Sequence, residues 1–359
     1  MKACRRSRAP VACAALPCWL VRRFCMFDML DAGATATWVG KAPGKAILFG
    51  EHAVVYGQPA IAVPVTGVQA RATVTCGTPG SGVWLVCSDL PAPDGGRVGR
   101  RYPLRQAAAD DPLRAAVALA LAHFGGSEPA TPALEPDIVL TIASTIPIAR
   151  GLGSGAAVAT AVMRGLAAFF GRQPAPDEVS GLVYEVEKLF HGTPSGIDNT
   201  VVAHQRPIYF VRSEGMTLLH VGSPFRLVIA DSGVPSSTRE VVGCVRQGWQ
   251  SDSQRYETLF GAIGAVARAA RHLIEEGDWR SMARLLDDNQ ALLEELGVSS
   301  PALERLIAAA RAAGALGAKL CGAGRGGAVL AAVERHKIAA VTDALRAAGA
   351  AQTMVTGVA

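Results

Sequence analysis

The sequence has no CxxC pair, and no cysteine has a histidine near it at metal-ligand spacing. Four of its eight cysteines, Cys4, Cys13, Cys18 and Cys25, crowd the first 25 residues; Cys76, Cys87, Cys244 and Cys321 are scattered. This argues against a zinc site or a disulfide framework and leaves reduced thiols as the plain expectation. Charge is scarce, at 18% of residues against 50% hydrophobic, and alanine supplies most of the excess. Such a composition reads as a soluble, α-rich globular chain and not a disordered one. A basic face is missing too, despite a net charge of +5. Lys2, Arg5, Arg6, Arg8, Arg22 and Arg23 lie in residues 1–24, which hold no acid. Taking those six from the 35 basic residues leaves 29 against 30 acidic ones, a net of −1 for the body. Nothing there calls for nucleic acid.

A membrane span is also lacking. The apolar stretch Ala9 to Val21 is broken by Pro10 and Pro17, is followed by Arg22 and Arg23, and leads to no clean A-x-A cleavage site. It is too short to cross a bilayer as a stable helix. Residues 1–37 are expected to be a disordered extension, or residues ahead of the true start, with Met26 and Met29 as alternative starts. A cytoplasmic protein without membrane or nucleic-acid partners is the resulting expectation. With 359 residues there is material for two domains or one large one. No internal repeat and no low-complexity tract beyond the alanine bias is present. Neither is a Walker A loop: "GKAPGKA" (40–46) has three residues between its glycines and alanine where Ser or Thr must meet magnesium.

What is present begins near Trp38, where "TWVGKAPGKAILFGEHAVVYGQPAIAVPV" gives apolar runs broken by Gly and Pro, read as strands and turns. "QARATVTC" and "GVWLVC" read as further strands, 88–101 as a loop, and "DPLRAAVALALAHFG" as a helix capped by Asp111 and ended by Gly125. A Pro-containing loop, the strand "DIVLTIAS" and helices over 155–170 and "APDEVSGLVYEVEKLFHG" follow. Beyond "RPIYFV" and "RLVIADSG", residues 252–313 read as nearly all helix, broken at Gly277–Asp278 and Val298–Pro301. The chain closes with strand, Gly turn and strand in "AKLCGAGRGGAVLAAV", a helix from His336 to Ala348, and the strand "QTMVTGVA". Strands and helices alternate without a βαβ period, so the class is α+β. The domain boundary is expected near residue 224, giving 38–224 and 225–359.

Residues 149–160, "ARGLGSGAAVAT", put glycines at 151, 153 and 155 just ahead of a helix. Three readings stay open on these residues alone. A helix start with unpaired N–H groups attracts phosphate. Gly151, Gly153 and Ala156 also fit G-x-G-x-x-G/A, the dinucleotide fingerprint, although "TIPIAR" separates strand from turn. The third reading is a packed tight turn.

"EKLFHGTPSGIDNT" carries Glu187 on the last turn of a helix and Asp198 after a Gly/Pro turn. Two carboxylates eleven residues apart across a reversal can converge. Phosphoryl transfer to an alcohol needs one acid to hold magnesium and another to take or orient the hydroxyl proton. It also needs a cation, for which Lys45 is the candidate. Against this, Ser195 and Asp198 fit a capping box. Glu187 beside Lys188 fits a solvated helix face, and His52 and His191 fit satisfied turn histidines.

"APGKAILFGEHAVVYG" (42–57), "PIARGLGSGAA" (147–157) and "KLCGAGRGG" (319–327) together, in order, resemble the three signatures of the GHMP kinases. "EHAVVYG", "HGTPSGIDN", "DSGVPSSTRE" and "NQALLEELGVSS" look like the mevalonate kinase family within that superfamily. The resemblance runs from about residue 38 to the end. It implies a ribosomal-S5-like first domain and a ferredoxin-like second domain with the active site in the cleft between them. It implies ATP as co-substrate, Mg2+, mevalonate as the acceptor and, at family level, a homodimer. Asp198 would be the base toward the primary hydroxyl, and Lys45 would lie beside it. Glu187 would bind magnesium. Ala149, Arg150, Gly151, Leu152, Gly153, Ser154 and Gly155 would wrap the ATP phosphates. Glu51, His52 and Thr238 would approach the substrate.

Two positions depart from the family pattern. Gly155 stands where a metal-binding serine is usual, leaving Ser154 or a water as donor, and Arg325 stands where glycine is usual. The rivals are a sister kinase such as phosphomevalonate kinase, a silent metabolite sensor on the same fold, and a nicotinamide oxidoreductase.

Overall fold

The computed structural model describes residues 36–91, 97–126, 136–191 and 194–359. The expectation for residues 1–37 lies almost wholly outside these, as do the Pro-containing loop ahead of "DIVLTIAS" and Gly192–Thr193.

Two sheets organise the described residues. The first has seven strands: β1 (Thr37–Phe49), β2 (Ala60–Cys76), β3 (Val83–Pro91), β4 (Arg97–Pro103), β5 (Ile138–Ser144), β6 (Ile208–Val211) and β7 (Gly215–Leu218). Their order is β4-β3-β5-β2-β6-β7, with β1 on the other edge of β2. Only β3 and β5 run parallel. The long β2 joins what the sequence suggests are two strands. β1 follows it by shifting register between Pro43 and Gly44, just ahead of Lys45. Such an irregularity re-aims the side chains beyond it.

Residues 88–101 are not a loop throughout. β3 reaches Pro91 and β4 begins at Arg97, with a register irregularity between Cys87 and Leu90. Of the residues that suggest a loop, Pro91 closes β3 and Gly99 lies within the edge strand β4, where both are tolerated.

Helices α1 (Pro112–Phe124), α2 (Ser154–Phe169), α3 (Pro176–His191) and α4 (Ile197–His204) belong to this half. α2 lies directly on β1 and β2. A Cβ on Gly40 would sit 2.0 Å from the Ala161 carbonyl, so glycine there lets helix and strand backbones touch. That close approach fixes where the N-terminus of α2 points.

The second sheet is fully antiparallel: β8 (Phe225–Asp231), β9 (Gly317–Cys321), β10 (Ala328–Val333) and β11 (Gln352–Val358), in the order β11-β8-β10-β9. Four helices, α5 (Thr238–Ser251), α6 (Ser253–Glu276), α7 (Trp279–Glu295) and α8 (Pro301–Ala312), separate β8 from β9; α9 (Ile338–Ala347) separates β10 from β11. This is the ferredoxin-like split βαβ arrangement with an enlarged first crossover. Asp252 and Asp278 cap α6 and α7 by accepting from the Arg255 and Ser281 N–H groups, and Gly277 in the left-handed region ends α6.

α5 is the helix the sequence reading leaves out. Two glycines and three valines obscure its periodicity, yet Ser237-x-x-Glu240 is a capping signature, and the Ser237 hydroxyl accepts from the Glu240 N–H at 3.4 Å. The halves meet where the Thr66 N–H donates to the Thr356 hydroxyl at 3.2 Å and Gly67 packs on the Val355 carbonyl. Cys87, Cys244 and Cys321 are free thiols.

Candidate active site

Lys45 and Asp198 come together. The Lys45 ammonium lies 3.0 Å from Asp198 Oδ1; the lysine side chain is 5% exposed and the aspartate 31%. β1 delivers Lys45 just after its register shift, and the Lys45 N–H donates to the Leu152 carbonyl at 3.0 Å, tying the strand to the glycine turn. Asp198 sits in the first turn of α4, whose N-cap is Gly196 in the left-handed region. The capping-box alternative therefore does not describe Asp198. Ser195 lies one position before the cap, its hydroxyl accepting from the Ile197 N–H at 3.3 Å, and the Asp198 carboxylate faces the lysine. Burial works against the Lys45 ammonium, but Asp198 foremost, with Cys321 and Glu187, holds its pKa above the ordinary lysine value.

Glu187 is the third member. Lys188 pairs with Glu185 at 2.6 Å, so the neighbouring lysine does not serve Glu187. Burial first, then the Asp198 carboxylate, push the Glu187 pKa up to about 8 against the pull of Lys45. Two acids thus share one lysine, a charge balance that favours a further cation.

The glycine turn lies against Lys45. Gly153 has φ +69°, and a Cβ there would come 2.6 Å from Lys45 Cγ, so both backbone and neighbour require glycine. α2 begins at Ser154, and its first intrahelical bond is Ala157 N–H to the Gly153 carbonyl at 3.0 Å. The N–H groups of Ser154, Gly155 and Ala156 precede that bond at the positive end of the helix dipole. Ser154 is half-buried and Gly155 exposed.

Arg150 points elsewhere. Its Nε lies 2.7 Å from Asp231 Oδ1 at the end of β8, a close charge contact and not an in-line hydrogen bond. Its side chain is therefore not free for phosphate.

Glu51 and His52 follow β1 and tie the two halves. The wholly buried Glu51 carboxylate accepts from the equally buried Lys319 ammonium of β9, which also donates to the Leu320 carbonyl at 2.6 Å. Glu51 Oε2 is buried without a partner. His52 Nε2 lies 2.9 Å from the Ala323 carbonyl, an acceptor only, so Nε2 carries the proton. Burial first, then Lys319 and Arg325, push its pKa down to about 4, leaving the ring neutral. Thr238 is exposed at the first position of α5 and is not part of these contacts. Arg325 holds φ +56° and reaches the Gly297 carbonyl and the Cys244 thiol.

The sequence reading misses Lys319 and Asp231. The signal for the first is a lysine inside the otherwise apolar strand "GAKLC"; for the second, an aspartate closing "RLVIAD". Among the described residues no three His, Cys, Asp or Glu side chains converge as a metal cage, and no helix is long and apolar enough to cross a membrane.

Residues 113–205 match the GHMP kinases N terminal domain, and residues 270–351 match GHMP kinases C terminal. A curated relative from Thermococcus sibiricus, named mevalonate kinase, is 32% identical over 87% of this chain and 93% of its own. One of the same name from Aeropyrum pernix is 35% identical over 80% and 86%. The crystal structure of L. major mevalonate kinase in complex with R-mevalonate superposes with a TM-score of 0.74 at 27% identity, covering 90% of this chain and 96% of that one.

Proposed function

The chain belongs to the GHMP kinases, and from that premise we infer that it transfers the γ-phosphoryl group of ATP to the 5-hydroxyl of mevalonate, giving 5-phosphomevalonate for isoprenoid precursor synthesis. The relatives named above support that acceptor over the other alcohols of the superfamily.

The observation that carries the reading is the 3.0 Å pair of Lys45 and Asp198 beside the glycine turn. Asp198, held 3.0 Å from the ammonium, takes the proton of the attacking hydroxyl. Lys45 then offsets charge on the transferring group. The N–H groups of Ser154, Gly155 and Ala156 cradle phosphate oxygens, with main chain and not the Arg150 side chain forming that part of the wall. Glu51, His52 and Thr238 complete the acceptor side of the proposal.

The donor chemistry fits Mg2+. The site offers hard oxygen donors, few of them and near phosphate, and Mg2+ is commonly held by one or two carboxylates plus phosphates and water. Glu187 and the Ser154 hydroxyl would hold it, with water at Gly155. The chemistry it would supply there is neutralisation of the charge that develops on the transferring phosphoryl group. A division of the chain near residue 224, a homodimer and a cytoplasmic location complete the proposal.

The test is ATP consumption by the purified chain across mevalonate, phosphomevalonate, homoserine and galactose. Turnover with mevalonate well above the others supports the reading. Preference for another alcohol overturns the acceptor, and no turnover with any overturns the kinase.

A further inference from the structure

The phosphate turn is held from outside its own domain half. Ala149 sits at φ +55°, left-handed backbone that costs a non-glycine residue and persists only under outside constraint. The constraint is the second sheet. The Ser236 N–H donates to the Ala149 carbonyl at 3.1 Å. Arg150 Nε is 2.7 Å from Asp231 Oδ1, with side chains 17% and 8% exposed, and its Nη2 donates to the Gly233 carbonyl at 3.2 Å. Asp231 is itself oriented by the Gly233 N–H at 2.9 Å. Opposite, a Cβ on Gly151 would sit 2.9 Å from the Cys321 carbonyl. The turn is thus gripped at three successive residues by the β8–α5 connection and the end of β9.

We propose that Arg150 and Asp231 are positioning residues for the nucleotide: their ion pair latches the phosphate turn to the β8–α5 connection and holds its N–H groups where the triphosphate binds. The inference rests on the kinase reading. The same connection leads directly into Thr238, so the latch joins the nucleotide wall to the segment proposed to meet the acceptor. Neither side chain touches the reacting groups. Arg150 is committed to Asp231, and Asp231 lies at the end of β8 behind the turn. Misplacing a positioned group by about 1 Å can cost on the order of a hundredfold.

The experiment is ADP binding by calorimetry on the wild-type chain and on Arg150→Gln, Asp231→Asn, Arg150→Lys and the exchanged pair Arg150→Asp/Asp231→Arg, with melting temperatures alongside. A displaced turn is expected to raise the ADP Kd by about tenfold or more in the two neutral variants. Arg150→Lys, which keeps the charge, should recover to within about threefold of wild type. In steady state the loss should fall mainly on KM for ATP, with KM for mevalonate changing less. A variant that fails to fold is replaced by its partner: Arg150→Gln leaves the Asp231 carboxylate on the Gly233 N–H, Asp231→Asn removes its charge, and a Kd within about twofold of wild type in whichever of the two folds overturns the latch. Equal losses in Arg150→Lys and Arg150→Gln overturn the charge pair as its cause. A wild-type chain that binds no ADP overturns the kinase reading and the latch with it; a wild-type chain that binds ADP as its folded variants do overturns the latch alone.

Discussion

Lys319 of β9 and Glu51 of the turn after β1 form an ion pair across the two sheets from which water is excluded, each side chain being essentially fully buried. A buried pair gains little over apolar residues of the same shape, but removing one member strands the other charge. Lys319→Met should therefore cost about 3–5 kcal/mol of stability, measured by urea unfolding. Adding Glu51→Gln should restore a large part, because the stranded carboxylate is then neutral. A single variant within about 0.5 kcal/mol of wild type would mean that water reaches Glu51.

Asp198→Asn removes the proton acceptor while preserving shape. Turnover should fall by about 10²–10⁴-fold, the range for loss of a positioned general base. ADP binding should survive, since the phosphate turn does not depend on that carboxylate. Near-normal turnover in a folded Asp198→Asn protein would sink the base assignment.

Much of this site is legible in the sequence because its parts announce themselves locally. Gly151 and Gly153 precede a helix run, Asp198 follows a Gly-rich turn, and the caps at Asp111, Asp252 and Asp278 mark helix starts. What escapes is long-range. Nothing near Arg150 says that its guanidinium goes to Asp231, 81 positions on, or that Glu51 meets Lys319 from the other sheet. The resemblance assigns Arg150 to phosphate as one residue of a motif. Its backbone and side chain have separate partners, and only coordinates separate them. The β3–β4 pair escapes for the opposite reason: Pro91 and Gly99 carry a local loop signal, yet one closes β3 and the other lies within the edge strand β4.

His52 sets a pH dependence. Burial holds its pKa in the folded chain at about 4, below the ordinary 6.5. The unfolded chain therefore takes up a proton near pH 6.5 that the folded chain refuses until near pH 4. Its contribution is fully present above pH 6.5 and is lost as pH falls toward 4. The gap corresponds to a loss of roughly 3 kcal/mol at most. Carboxylates titrate in the same window, so the informative quantity is a difference. Urea unfolding of His52→Gln, which keeps a donor for the Ala323 carbonyl, should show a flatter profile between pH 6.5 and 4 than wild type. Identical slopes would show that His52 charges freely in the folded state.

Gly155 is the last test, because the resemblance and the geometry make a joint prediction there. The family pattern that the sequence resembles has serine at this position. A Cβ added at Gly155 would meet no heavy atom within 4 Å, and the residue is exposed in the first turn of α2. Its backbone is not among the positive-φ positions, so a side chain brings no strain. Gly155→Ser should therefore fold normally and gain up to about 0.5–1 kcal/mol, since glycine is a poor helix residue. If Glu187 and Ser154 hold Mg2+ with water at the third place, the added hydroxyl replaces a water. The Mg2+ concentration for half-maximal turnover should then fall about two- to tenfold, a shift of about 0.4–1.4 kcal/mol. Turnover against Mg2+ at saturating ATP, with melting temperature as the control, reads both effects. A stable Gly155→Ser protein with an unchanged or weaker Mg2+ requirement would place the metal away from the start of α2 and remove Ser154 from its ligands.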